Sequence, residues 1–278
     1  MIYLGEINRL KIMRNTSVGM YVADKVGNEV LLPKKYIDSH FQIGDIIEVF
    51  VYKDQEDRPV ATTLEPYITA GEFAFLRVRT VTQFGAFIEW GMEKDLLVPM
   101  VEQSKKMEVG QSYVVFAYLD EQSNRLVASS KINKFIRNEE LDVVAGEEVD
   151  LLIFEETFLG YNAIVNNQFK GLIYRNEVYK DLQIGDKLKG YIKTIREDGA
   201  LDLSLQKPGI MHLADTTQEL LDYLKQHDGK ILLTDNSSPE DVKKMLNMSK
   251  KAFKRSVGIL YKQRMVRIED DGVYLVML

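Results

Sequence analysis

The stretch VTQFGAFIEWGMEKDLLVP, residues 81–99, decides the architecture of this chain. It reads as two antiparallel strands joined by a short acidic turn. Phe84 and Phe87 flank Gly85-Ala86, and the apolar run Leu96-Leu97-Val98 ends at Pro99. The pattern recurs. Gly85 is followed 25 residues later by Gly110, Gly19 by Gly44, and Gly160 by Gly185. Fourteen residues after each leading glycine stand Pro33, Pro99 and Tyr174, in the matched segments EVLLP, DLLVP and KGLIY. Such internal repetition sets the structural unit. The leading glycines are 66 and 75 residues apart, which suits complete small domains rather than solenoid repeats.

Composition bounds the class. With 278 residues, 45% of them hydrophobic and 28% charged, the chain is an ordinary globular one. The absence of cysteine excludes disulfides and thiol chemistry. No apolar run approaches the ~18 residues of a membrane span, and MIYLGEINRLKIMRN has no basic-then-apolar signal layout. A cytoplasmic protein with no membrane partner is therefore expected. The net charge of −6 argues against an indiscriminate polyanion binder, but Lys243 to Arg267 holds nine Lys or Arg and no acid. Attraction for nucleic acid is concentrated at that end.

Strand-like segments divide the first three quarters of the chain. Residues 1–65, 66–137 and 138–210 each read as a five-stranded unit with β-branched and aromatic strands and charged turns. Arg77-Val78-Arg79 alternates along an early strand, which puts both arginines on one face. Lys131 to Arg137 reads as a basic connector that could be helical. Pro208-Gly209 is a break, after which the apolar period changes from two to about 3.6. Residues 211–278 then read as helix, strand, helix, helix, hairpin. Thr216 and Glu219 have capping-box spacing for the first helix. Ser238-Pro239 starts the second, and Ser249 caps a third that runs to about Met265. A strand over Ile231–Leu233 and a tight turn at Asp270-Asp271-Gly272, before Val273–Leu278, complete the order.

The FGAF segment, the acidic turn and the apolar strand resemble the S1 RNA-binding domain, a five-stranded barrel of OB type. The order of elements after Pro208 resembles a winged helix-turn-helix domain. The fold expected is thus mainly β: three S1-like barrels and a C-terminal α/β winged helix. In the S1 family two outward aromatics stack on bases of single-stranded RNA, an interaction open to any base because every base has a π-face. That resemblance puts Phe84 and Phe87 on RNA, with Asp120 and Arg125 near the last turn and Arg77 and Arg79 on phosphates. The competing reading makes the two phenylalanines core residues and Asp120 a turn former. Period alone does not assign the face of two phenylalanines three apart. Tyr21, Tyr161 and Tyr174 are the weaker counterparts in the first and third barrels. By the glycine ruler Leu159 and Asn162 take the two Phe positions of the third barrel, with Phe158 and Tyr161 one residue earlier. The glycines 19, 85 and 160 read as structural.

In the third helix Phe253, Val257 and Leu260 share a face, and Lys251, Lys254, Arg255 and Lys262 lie opposite. Those four are candidates for nucleic-acid contact, weighed against a merely solvated basic face. No Asn or Gln sits there to read adenine. His40, His212 and His227 are isolated, and no HExxH, GxxxxGK[ST] or GxSxG occurs, so neither catalysis, metal nor cofactor is expected.

Three S1-like barrels followed by a winged helix resemble the bacterial conserved virulence factor B family (CvfB/YitL type) over essentially the whole chain. The resemblance implies a cytoplasmic, non-enzymatic protein, expected as a monomer, that binds single-stranded RNA and acts on gene expression after transcription. The alternatives are a scaffold that docks on ribosome or RNA polymerase components and a duplex-DNA-binding regulator.

Overall fold

The computed structural model describes residues 1–136, 138–178, 181–206 and 210–276, with the backbone alone over 210–215. The Pro208-Gly209 break, Arg137, the side chain of His212 and the last two residues of the expected final strand lie outside the described residues. The chain forms two compact units, Met1–Ile136 and Arg137–Leu278.

The first unit holds two barrels. Strands β1 (Glu6–Asn15), β2 (Gly19–Ala23), β3 (Glu29–Pro33), β4 (Ile46–Lys53) and β5 (Pro59–Thr62) close in the order β1-β2-β3-β5-β4. Strict alternation in β1 sends Asn8, Leu10 and Ile12 inward and the residues between them to solvent. Leu10, Ile12, Val22, Leu32, Val49 and Val51 form the core. The second barrel has β6 (Phe73–Thr82), β7 (Gly85–Ile88), β8 (Leu96–Pro99), β9 (Ser112–Leu119) and β10 (Leu126–Ser129). Its sheet order is β10-β9-β6-β7-β8, and β8 lies beside β10 without pairing, so this barrel is nearly closed.

The two barrels share a core. Phe50 of the first meets Trp90 of the second edge to face, with ring centroids 5.7 Å apart, and both belong to the same buried cluster as Ile68 and Ile88. Lys53 Nζ donates to the Ser123 carbonyl at 2.8 Å across the same junction.

The second unit opens with a third closed barrel: β11 (Glu148–Glu156), β12 (Gly160–Val165), β13 (Phe169–Tyr174), β14 (Lys187–Ile195) and β15 (Leu201–Ser204). It then has α1 (Ile210–Gln226), β16 (Lys230–Ile231), α2 (Pro239–Leu246), α3 (Lys250–Lys262), β17 (Val266–Glu269) and β18 (Gly272–Leu275), the element order expected of a winged helix. Leu220, Leu224, Val242, Phe253, Val257 and Leu260 make its core. Ser238 Oγ accepts from the Asp241 amide and Ser249 Oγ from the Ala252 amide, so both expected caps form.

Two local expectations are corrected. The first helix does not start at Thr216; it starts at Ile210, and Thr216 is buried within it. There Ser256 Oγ of α3 donates to Thr216 Oγ1 at 3.3 Å, so the hydroxyl serves helix packing rather than capping. The third helix ends at Lys262 rather than about Met265, where Arg264 turns into the left-handed region (φ 59°). The connector after the second barrel does carry a helical turn, Ile132–Lys134, within the expected stretch. Phe135 then stacks on Phe116 with centroids 4.3 Å apart, so it is an apolar clamp.

Candidate nucleic-acid interface

The glycine ruler has one physical cause. Gly19, Gly85 and Gly160 have φ of 153°, 153° and 152° and pair with Pro33, Pro99 and Tyr174 across each hairpin. A Cβ on them would lie 2.2, 2.2 and 2.0 Å from the carbonyl oxygens of Leu32, Val98 and Ile173. Only glycine lets the strands approach that closely. The second glycine of each pair, 44, 110 or 185, donates its amide to Ile12, Val78 or Ile153 at 2.8, 2.9 and 2.8 Å, which ties the following turn to the first strand.

This geometry fixes the residue before each leading glycine. The carbonyls of Val18, Phe84 and Leu159 accept from the amides of Lys34, Met100 and Arg175 at 3.2, 3.2 and 3.0 Å. Thr16, Thr82 and Thr157, three residues before each glycine, donate their hydroxyls to its carbonyl. With the backbone pinned on both sides, the side chain projects outward: Val18 is 58% exposed, Phe84 69% and Leu159 58%. The second position, two residues after the glycine, holds Tyr21, Phe87 and Asn162, all half-buried.

The second barrel alone has aromatics at both positions. Around them, Arg77 Nε donates to the Gly110 carbonyl at 3.2 Å. Arg79 sits at a bulge in β6, with Nη2 on Glu89 Oε1 at 2.6 Å and Nη1 3.6 Å from Asp95. Arg77 and Arg79 are both exposed, on one face as the alternation implies. Asp120 shapes the last turn: its carboxylate accepts from the Ser123 amide and hydroxyl at 2.9 and 2.7 Å, and these bonds hold its pKa below the usual range. Arg125 reaches Asp57 of the first barrel at 3.0 Å. The structure therefore leaves Phe84 exposed and Phe87 half-buried on either side of Gly85-Ala86, and it engages Asp120 and Arg125 in a turn and a barrel junction.

In the first barrel the guanidinium of Arg14 covers the Tyr21 ring at 3.7 Å. In the third, Tyr161 stands in register with Met20 and Ala86, which are buried, and it packs against the core. Its one-residue offset from the ruler turns it inward. Tyr174 is half-buried, and its hydroxyl accepts from Arg196. Phe158, at the tip of that hairpin, is 95% exposed.

In the winged helix Lys251, Lys254, Arg255 and Lys262 are all exposed along α3, and Lys254 pairs with Asp235 at 3.2 Å. Within the second unit a cleft of about 780 Å³ lies between the third barrel and α2 and α3. Arg175, Lys193, Lys243, Lys250, Lys251 and Arg255 line it, together with Glu177 and Glu240. Among the described residues Lys250, Lys251 and Arg255 have no carboxylate within ion-pair reach. Sequence reading missed Arg175 and Lys193, and gave Lys243 only as part of the basic run to Arg267, because nothing local says that the three line one cleft with α3. It also missed the hairpin threonines, although TSVG, TQFG and TFLG are visible once aligned on the glycines. Among the described residues no group of three or more His, Asp or Glu side chains is placed to hold a metal ion, and no helix is long and apolar enough to cross a membrane.

Residues 4–64 and 70–131 match the S1 domain family, and residues 218–275 match the CvfB-like winged helix domain. The chain is a multidomain protein built from two S1 domains, a third five-stranded barrel with the strand order of the first, and a CvfB-like winged helix. These are nucleic-acid-binding domain families rather than known enzymes.

Its homologues carry the names that the resemblance led to. The uncharacterized protein YitL of Bacillus subtilis (strain 168) is 28% identical, covering 97% of this chain and 93% of that protein. Conserved virulence factor B of Staphylococcus saprophyticus is 26% identical, covering 90% and 86%. A solved structure, a multidomain protein with nucleic acid binding domains from Streptococcus pneumoniae TIGR4, is 23% identical over 98% of both chains, with a TM-score of 0.41.

Proposed function

We propose that this protein binds single-stranded RNA in the cytoplasm, as a monomer and without catalysis, and regulates gene expression after transcription. The observation that carries the reading is Phe84, held 69% exposed on a hairpin pinned from both sides. An apolar ring kept in water by a rigid backbone loses the stabilisation that burial of a phenylalanine supplies, about 1.5–3 kcal/mol. Stacking on an unpaired base recovers a comparable amount, roughly 1–3 kcal/mol per base. The exposed cations of α3 and the basic cleft supply attraction for phosphates, which the net charge of −6 does not. Several weak sites on one chain raise avidity without a strong single site.

Fluorescence anisotropy with labelled single-stranded RNA and duplex DNA at two salt concentrations tests this. RNA should bind more tightly than duplex, and the variant Lys251→Gln/Arg255→Gln should flatten the salt slope by about 0.7 per lost phosphate contact. A second reading, docking on a protein of the translation or transcription machinery, is favoured by one fact: Arg79 and Arg125 of the second barrel already face acids. Absence of RNA binding at low salt would select it.

A further inference from the structure

The first and second barrels carry the same three positions 66 residues apart: Arg14, Tyr21 and Glu29 in one, Thr80, Phe87 and Asp95 in the other. Tyr21 lies opposite Arg14 across β1 and β2, and Phe87 lies opposite Thr80 across β6 and β7. In the first barrel the guanidinium carbon of Arg14 sits 3.7 Å from the centroid of the Tyr21 ring. Arg14 Nη2 donates to Glu29 Oε2 at 2.7 Å, so the cation is held in place from the side. A planar guanidinium stacks on an aromatic face much as a nucleobase does. The place of a base on Tyr21 is thus filled by the protein itself. In the second barrel the facing residue is a threonine, too short to cover the Phe87 ring. In the third the pair is Glu155 and Asn162, joined by a hydrogen bond of 2.6 Å, with no ring to cover.

We infer that the first-strand residue facing the second aromatic position determines which barrel offers a stacking site to an unpaired nucleobase: Arg14 closes the first barrel and Thr80 leaves the second open. The inference rests on the reading of these aromatics as base-stacking residues. It makes Arg14 and Thr80 specificity-determining positions that never need to touch the nucleic acid. It also predicts the opposite sign from charge counting. Removing Arg14 makes the chain more acidic, which by itself weakens attraction for a polyanion. Unmasking the Tyr21 ring strengthens binding. An arginine at position 80 adds a positive charge, yet Asp95 stands where Glu29 stands in the first barrel. That arginine would be held over Phe87 and would block it.

The test uses the full chain and a fluorescein-labelled oligouridine of roughly 12 nucleotides, within the span of one or two such barrels. Wild type, Arg14→Thr, Arg14→Thr/Tyr21→Ala and Thr80→Arg are titrated by anisotropy. Arg14→Thr should tighten binding about fivefold or more, the lower end of what one base stack contributes, and adding Tyr21→Ala should abolish the gain. Thr80→Arg should weaken binding by a similar factor. Weaker or unchanged binding by Arg14→Thr, or tighter binding by Thr80→Arg, overturns the inference. If wild type fails to bind while Arg14→Thr binds, masking stands and the second barrel's role falls. If no variant binds, both fall. Emission of Trp90, the single tryptophan, reports whether each variant keeps the barrel junction. Arg14→Gln, which removes the charged plane with a milder change of side chain, replaces Arg14→Thr if that variant loses it.

Discussion

Replacing Gly85 by alanine would place a methyl carbon 2.2 Å from the carbonyl oxygen of Val98. A carbon and an oxygen in ordinary contact are about 3.3 Å or more apart, so β7 and β8 must separate by roughly 1 Å. The bond from the Met100 amide to the Phe84 carbonyl, at 3.2 Å, and that from Thr82 Oγ1 to the Gly85 carbonyl, at 3.4 Å, do not survive that shift. Each is worth about 1 kcal/mol net. The φ of 153° adds strain of about 1–3 kcal/mol for any residue with a Cβ. The expected loss is therefore about 3–5 kcal/mol. Gly110→Ala, in the same barrel, is the control. Its φ is also positive, at 84°, but its Cβ would meet only Arg77 Nη2 at 3.7 Å. It should cost about 1–2 kcal/mol, the ordinary penalty of the left-handed region. Urea unfolding followed by Trp90 emission reads both. With a slope of about 2 kcal/mol per molar, the midpoint falls by roughly 2 M for Gly85→Ala and by less than about 1 M for Gly110→Ala. Equal losses would refute the argument that close strand approach, rather than backbone conformation alone, selects the hairpin glycine.

Ser249→Ala removes the cap of α3 and should lower winged helix stability by about 1 kcal/mol, seen by hydrogen exchange in α3 with no change in Trp90 emission. Arg125→Ala should leave RNA affinity unchanged in anisotropy titrations, because the guanidinium is already committed to Asp57 at 3.0 Å. A pH effect should come from Glu102, which follows β8 and whose carbonyl accepts from the Ser130 amide at 3.0 Å. Burial raises its carboxyl pKa, but Lys134 at 2.8 Å, the Ser129 hydroxyl and the charge of Lys131 together more than offset this, and the net value lies below the ordinary 4.5. The folded pKa is depressed, so the stabilisation is complete above the ordinary value and is lost as pH falls through the lowered one. Urea midpoints of wild type and Lys134→Ala should therefore differ at neutral pH and converge in acid.

The barrels were legible because their glycines answer to a backbone collision that no other residue avoids. Gly19, Gly85 and Gly160 carry that signature at a fixed distance from Pro33, Pro99 and Tyr174. The ruler extends further than the sequence reading took it. Gly5, Gly71 and Gly146 lie 14 residues before the hairpin glycines and donate to Val51, Ala117 and Ile192 at 2.7, 2.8 and 2.7 Å. The exposure of Phe84 was not legible from period, which assigns no face to two phenylalanines three apart, and was expected only from the resemblance to the S1 domain; Tyr161 required counting to the residue, since an offset of one reverses the face of a strand. Contacts made across barrels were not legible. Arg125 and Asp57 are 68 residues apart, and no local pattern pairs them. The same holds for Arg14 over Tyr21, where spacing gives the cross-strand neighbours but not that the arginine lies flat on the ring. Thr216 shows the converse error. Capping-box spacing is satisfied by chance inside a helix whose hydroxyl is used against α3.

The most direct test of RNA stacking on the second barrel is photocrosslinking of the full chain to thiouridine-substituted single-stranded RNA, read by mass spectrometry of the adducts. Crosslinks should fall on the hairpin that carries Phe84 and Phe87 and on α3, with none on Tyr21 in the wild type. Crosslinks that spare the Phe84 hairpin and appear on the first barrel instead would contradict the account.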